Sequence, residues 1–514
     1  MKSIADDQAM VAGAGESPAL SLSSASLTAL AGLLTILWAL AFALILPAVI
    51  GTDVGWYLVA VRKWLAGAEL YTGIIEVNPP LAFYLTVPAT WLQDLTGLGE
   101  QKAFLTYVAV LAGVSLAVSS RIIVKARLTP PQTWLMALAV LAALMLVPFA
   151  DFGQREHFML ILAMPYILMS ALFAGENRMP PASRFAIGTI AVIGLALKPY
   201  FLAMPLMVTV ARTALAGSIS RAPRIVFSPE NLAIGFGCMA YLLLIWIRHP
   251  AYLEDVLPLV RAIYIGVGHD YAFWMRLAAA ILFLATPVLL IFLCRMKDRP
   301  DPRMIVMLAA IAGFTVSHLI QAKGWHYHFI PALACIILAA TFYAGLSLAE
   351  DKRPLPAILA LITAGYLGVA NPLIKGVYDH PEMQPVLAQH ADRLEGRSIA
   401  NWSPRIEIAF PLANVVHGRW ASRYAYLWPL SGALQTMEAG GDGGGSIKTI
   451  LERIRGDMID DLIALKPDII LISGAEAESY GVFLGTDPRF EAAFAPYSRL
   501  DVIDGIEIWQ RGTN

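Results

Sequence analysis

Charge is what this sequence is shortest of. Only 15% of its 514 residues are Asp, Glu, Lys or Arg, against roughly a quarter in soluble chains. That scarcity excludes a chain that keeps most of its surface in water. The formal net charge is −1, so no basic balance points to nucleic acid. Cysteine is scarce too. Cys238, Cys294 and Cys335 all lie inside apolar runs, where cysteine behaves as a small core residue. No disulfide framework or thiolate metal site follows from them. No internal repeat is evident, which disfavours transporter folds built from inverted halves.

What fills the sequence instead is apolar. Hydrophobic residues make up 58% of it, the composition of an α-helical polytopic membrane protein. Residues 1–26 are polar and rich in small side chains, and read as a disordered tail. The run 27–50 is too long for the core of a cleaved signal peptide, so it reads as a retained first spanning helix. Further apolar runs occupy 101–120, 132–149, 158–175, 185–197, 199–215, 231–248, 276–294, 304–320, 328–348 and 355–372. Five basic clusters separate some of them: Arg121/Lys125/Arg127, Arg178/Arg184, Arg212/Arg221/Arg224, Arg295/Lys297/Arg299/Arg303 and Lys352/Arg353. Short loops rich in Lys and Arg stay in the cytoplasm, which places all five inside.

This imposes a parity test. If the first helix runs outward, an odd number of crossings lies between residue 51 and Arg121. The segment 79–95 begins with Pro79-Pro80 and is short for a span of about 20 residues. It reads as a helix in the outer face, and 51–100 becomes one large external loop. Between 185 and 210, Lys198-Pro199 interrupts the run. Two short helices turning outside at Lys198 keep Arg212 inside. The expected membrane domain, 27–372, thus has about eleven crossings, a cytoplasmic N-terminus and an external C-terminus.

From 373 to 514 the composition is that of a soluble α/β domain. "RSIANWS" and "PDIILISG" read as buried strands. "SIKTILERIRGDMIDDLIALKP" has helical spacing at Ile447, Ile450, Leu451, Ile454 and Met458, with Ser446 as its cap. The preceding "GGDGGG" lacks a strand before it and the Lys-Ser/Thr of a phosphate loop, and reads as a linker. "YSRLDVIDGIEIWQR" reads as a terminal hairpin.

Sorting loop ends by side gathers the chemistry on the external face. Asp53, Arg62, Lys63, Glu69, Glu76 and Asn78 fall in the first loop. "DFGQREH" supplies Asp151, Gln154, Arg155, Glu156 and His157. Lys198, "GHDY" (His269, Asp270) and "QAKGWHYH" (Gln321, Lys323, Trp325, His326, His328) complete the set. Ionisable groups at a membrane boundary usually have a function or a partner. Asp53 reads either as the N-cap of a surface helix from Val54 to Leu65 or as a general base for an acceptor hydroxyl. Arg155, Lys198 and Lys323 read either as snorkelling side chains or as phosphate holders, Arg by its fork and Lys as a point charge. His326 and His328, two apart, could share a metal in a loop, but no acid lies beside them. A divalent metal is left open. His269-Asp270 reads as an acid–base pair or a loop brace.

These stretches resemble the GT-C superfamily of integral-membrane glycosyltransferases. "TDVGWYLVAVRKWLAGAELY" is similar to the first external loop of that family, with Asp53 at the position of its catalytic aspartate. "EVNPPLAFYL" looks like the segment of the protein-mannosyltransferase-like and aminoarabinose-transferase-like branches. "DFGQREHFML" resembles the place where those branches often carry a second external acid, and "LALKPYF" and "KGWHYHFIP" look like further motifs of bacterial members. One departure stands out: several relatives carry a second acid directly beside the first, whereas Asp53 is followed by Val54 and Gly55. The resemblance implies a sugar donor carried on a polyprenyl phosphate and an envelope glycan, lipid or protein acceptor. It implies Asp53 as base and Arg155, Lys198 and Lys323 on the donor phosphate. Asp151, Glu156, His157 and His326 are further donor-site candidates; Arg62, Glu76, Asn78, His269 and Asp270 are acceptor-site candidates. A bacterial inner membrane, with the catalytic face and the C-terminal domain periplasmic, is the expected setting. A transporter or flippase of a lipid-linked glycan, or a non-catalytic envelope scaffold, is the competing expectation.

Overall fold

A computed structural model describes residues 22–174, 179–264, 301–321, 323, 325–348, 358, 360–362, 365, 380–438 and 446–512. The tail before residue 22, the run 276–294, most of 355–372, the pair His269-Asp270 and the glycine-rich 440–445 lie outside the described residues.

The membrane domain is a bundle of apolar helices. In order they are α1 (Ser24–Ile45), α2 (Thr52–Leu65), α3 (Leu81–Thr96), α4 (Glu100–Lys125), α5 (Pro130–Met145), α6 (Arg155–Leu172), α7 (Pro181–Leu195), α8 (Ala203–Leu215), α9 (Pro229–Arg248), α10 (Pro302–Gln321) and α11 (Ile330–Leu346). Among the described residues, five stretches are long and apolar enough to cross a membrane: α1, α4, α9, α10 and Tyr327–Leu346. The chain is a polytopic α-helical membrane protein. α11 is buried on every side, as a helix with no polar face must be. α1 and α9 instead expose Ile36, Leu40, Leu44, Phe236, Met239 and Leu242, the apolar surface that lipid covers.

The interruption at Lys198 is real and has a local cause. A proline disfavours helical backbone at the residue before it and removes an N–H. Lys198 is accordingly extended, at φ −143° and ψ 133°, and Pro199–Leu202 forms a 3-10 turn that leads into α8. The far ends of α7, α8 and α9 are tied to one another. Arg184 Nε donates to Glu230 Oε2 at 2.8 Å and Arg212 Nη1 to Glu230 Oε1 at 2.7 Å. α7 and α8 are therefore two antiparallel arms, with Lys198 at the opposite end from this cluster.

The C-terminal domain carries one five-stranded sheet in the order β2-β1-β3-β5-β4. β1 (Ser398–Trp402) and β3 (Ile469–Ser473) are parallel and almost wholly buried, and the helix Ser446–Leu465 precedes β3. β4 (Tyr497–Ile503) and β5 (Ile506–Arg511) form the terminal hairpin. Asp504 (φ 47°) and Gly505 (φ 78°) both take the left-handed conformation that a two-residue hairpin turn demands. β2 (Arg419–Trp420) joins the edge.

The domain docks on α2. Asn414 Nδ2 donates to Gly55 O and to Glu100 Oε2, each at 3.1 Å. A Cβ at Gly55 would lie 2.7 Å from Asn414 Oδ1, so glycine there is what admits the domain. Trp56 packs edge-on against Phe410 and Trp420. Lys63 donates to Ser422 O at 2.6 Å. Burial pushes its ammonium down to about 8.

Candidate functional site

Two turns bring the first acid and the first cation together. α2 begins at Thr52 with Gly51 at its cap and no side-chain capping bond. Asp53 is therefore not the cap; it sits in the first turn, and its carboxylate bonds to other segments. In "DFGQREH", Gly153 is left-handed at φ +86°, and a Cβ there would fall 2.3 Å from Phe104 Cε1. Gln154 is extended and α6 starts at Arg155. This turn aims Arg155 at α2. Arg155 Nη2 donates to Asp53 Oδ2 at 2.9 Å, and the Tyr327 hydroxyl donates to the same oxygen at 3.3 Å. The Arg155 side chain is 8% exposed and that of Asp53 22%, so the acid keeps an opening to solvent.

Glu156, the next residue, takes the second cation. It is fully buried and its Oε1 accepts from Lys198 Nζ at 2.6 Å. The same ammonium donates to Gln321 Oε1 at 2.9 Å and to His328 Nε2 at 3.2 Å. An ammonium has three N–H groups, and all three are committed. Lys198 thus stands as a fixed positive point joining α6, α10 and the turn before α11. Lys323 donates to Tyr264 O at 2.6 Å and lies 4.0 Å from the Tyr264 ring centroid. Burial lowers its ammonium to about 8.

These groups line two chambers that meet at Arg155. The larger, about 360 Å³, is walled by Arg155, Lys198, Arg261 and Lys323 together with Tyr200 and Tyr252, and among the described residues no carboxylate lines it. The smaller, about 30 Å³, holds Asp53 and Glu76 among Trp56, Tyr57, Tyr264 and Trp325, and the C-terminal domain covers it with Tyr426 and Trp428. Arg155, Asn78 and Trp325 belong to both. Lys198, Arg261 and Lys323 line only the larger chamber, and Asp53 and Glu76 only the smaller. Such a pair of chambers can seat an anion on one side and hold a hydroxyl beside a base on the other.

The remaining candidates take other places. Glu76 is held by Trp56 Nε1 at 2.8 Å, by the Tyr57 hydroxyl at 3.2 Å and by Asn78, so it shapes the acid chamber. His157 is a local brace: its Nδ1 accepts from Gly153 N–H at 3.0 Å and its Nε2 faces Leu144 O at 2.8 Å. Asp151 is buried in the turn before α6. Neither lines either chamber. Arg62 pairs with Glu100 at 3.1 Å, under the C-terminal domain. His326 opens a 3-10 turn, His326–Phe329, and its side chain is outside the described set. Among the described residues, no group of three or more His, Cys, Asp or Glu side chains gathers to hold a metal ion.

Sequence reasoning does not single out Arg261, Tyr264, Tyr426 or Trp428. Arg261 lies between the apolar runs 231–248 and 276–294 and carries the sidedness signal of that stretch. The two residues of the C-terminal domain carry none, because their role comes only from docking.

The fold is thus an apolar helical bundle of a membrane protein whose polar chambers lie under a small α/β domain. Crystal structures of ArnT from Cupriavidus metallidurans, one bound to undecaprenyl phosphate and one in the apo state, share this fold with a TM-score of 0.57. The likeness covers 96% of this chain and 100% of that one at 14% identity, and is therefore one of fold. No protein-family model and no curated protein matches the sequence.

Proposed function

We propose that the chain is a GT-C glycosyltransferase that moves a sugar from a polyprenyl-phosphate donor to a hydroxyl of an envelope glycan, lipid or protein. The observation that carries this is that Asp53 lies on one side of Arg155 and three further cations, Lys198, Arg261 and Lys323, on the other. The fold is that of ArnT, which has been crystallised with a polyprenyl phosphate. The donor's phosphate belongs in the cation-walled chamber and the acceptor hydroxyl beside Asp53. Asp53 takes the hydroxyl proton as the oxygen attacks the anomeric carbon. The bond from that carbon to the phosphate oxygen breaks, and the lipid phosphate leaves with the electron pair. Charge builds on the leaving oxygen among cations already in position, and removing one such preorganised donor commonly costs about 3 kcal/mol. The positive-inside rule puts the chambers and the C-terminal domain outside the cytoplasm, in a periplasm if the membrane is a bacterial inner one.

The test is transfer of labelled sugar from a polyprenyl-phosphate donor in membranes containing the protein. Asp53→Asn should leave the protein folded and lower turnover by at least a hundredfold, in line with the range for general acid–base catalysis. Near-normal turnover in that variant would remove Asp53 as the base.

A further inference from the structure

Arg155 has two claims on it. Its guanidinium lines the cation chamber, yet one of its nitrogens is spent on Asp53 in the other. The commitment is partial. Nη1 reaches the Tyr57 hydroxyl only at 3.4 Å, and Nε is buried with no hydrogen bond among the described residues. A guanidinium in that condition has fork capacity left, and phosphate is the anion whose oxygens match the fork. Lys198 differs, since its three N–H groups are already held by Glu156, Gln321 and His328.

Asp53 has the complementary problem. Both of its donors, the guanidinium and the Tyr327 phenol, fall on Oδ2, so the oxygen that faces Arg155 has its lone pairs engaged and cannot accept an incoming hydroxyl proton until one of them leaves. It would not be stranded without Arg155, because Tyr327 still donates to it and it is partly open to solvent.

We propose that Asp53 and the donor phosphate compete for Arg155, so that arrival of the phosphate releases Asp53 and makes it available as the base. The inference rests on the glycosyl-transfer reading above. Donor binding then precedes deprotonation of the acceptor, and a nucleophile is not generated before there is a sugar for it to attack. Coupling of this kind is reciprocal. Whatever frees Arg155 from Asp53 must strengthen the hold on phosphate.

The experiment measures binding of a sugar-free polyprenyl phosphate to the full-length protein in nanodiscs. Asp53→Asn should bind it about tenfold more tightly than wild type, a mid-range coupling. Loss of simple repulsion between Asp53 and the phosphate would also tighten binding, so the comparison is repeated with Arg155→Ala. There the gain from Asp53→Asn should shrink below about twofold, since the coupling runs through the missing group. Arg155→Gln serves the same comparison should Arg155→Ala fail to fold. An Asp53→Asn variant that binds no more tightly overturns the competition but leaves the transferase reading standing. So does a gain that persists undiminished without Arg155. Failure of the wild type to bind polyprenyl phosphate at all overturns both.

Discussion

Replacing Lys198 with methionine isolates the buried charge pair behind the cation chamber. Glu156 is fully buried, its Oε1 rests on Lys198 at 2.6 Å, and its Oε2 has no hydrogen-bond partner among the described residues. Lys198→Met leaves that carboxylate without the ammonium that justifies its ionisation. Breaking a buried pair from one side costs about 3–5 kcal/mol. Glu156→Gln breaks it from the other side and should cost less, because Lys198 keeps Gln321 and His328 as partners. Removing both charges in Lys198→Met/Glu156→Gln should recover most of the loss, since neutral replacements of buried pairs are often close to neutral. The assay is thermal unfolding in detergent, followed by loss of the monodisperse species. The expected order of midpoints is wild type and double variant highest, Glu156→Gln next, Lys198→Met lowest. A Lys198→Met protein as stable as wild type would refute the reasoning, as would a double variant no better than Lys198→Met.

Three further outcomes follow from the geometry. Gly55→Ala puts a Cβ 2.7 Å from Asn414 Oδ1; it should cost about 1–3 kcal/mol and loosen the C-terminal domain, read as faster proteolysis between residues 380 and 512. Gly153→Ala forces a left-handed alanine against Phe104; it should cost about 1–3 kcal/mol and lower sugar transfer by displacing Arg155 and Glu156, read by comparing stability and turnover in the same preparation. Lys323, lowered to about 8 by burial, should lose its charge as pH rises through that value. Polyprenyl-phosphate affinity should then fall by up to about tenfold per pH unit, and Lys323→Met should flatten the profile. The sign is opposite for stability. An unfolded lysine titrates near about 10.4, so the unfolded chain holds more protons between about pH 8 and 10.4, and this group favours folding as pH rises there.

How much of this was legible in the sequence varied with the range of the interaction. Local rules worked well. Alternation and apolar runs gave β1, β3 and the hairpin, helical spacing gave Ser446–Leu465, and Lys198-Pro199 gave the break between α7 and α8. Charge sidedness gathered Asp53, Arg155, Lys198 and Lys323, and the structure sets them around two adjoining chambers. The same rule overreached at His157, whose histidine braces its own turn, and at Arg62, which serves the domain interface. What stayed hidden depends on contacts between distant segments. Tyr327 reaches Asp53 across 274 positions, and Tyr426 and Trp428 cover the acid chamber only because Gly55 lets Asn414 in. No periodicity encodes such pairings. β2 escaped for a simpler reason: its two residues are too few to show any pattern.

The account stands on one chamber serving a lipid phosphate, and an experimental structure of the protein with polyprenyl phosphate bound tests that most directly. The phosphate should lie in the cavity between Arg155, Arg261 and Lys323, with Arg155 turned toward it and away from Asp53. A phosphate seated elsewhere, with Arg155 still on Asp53 and the cation-lined cavity taking no part, would contradict the account.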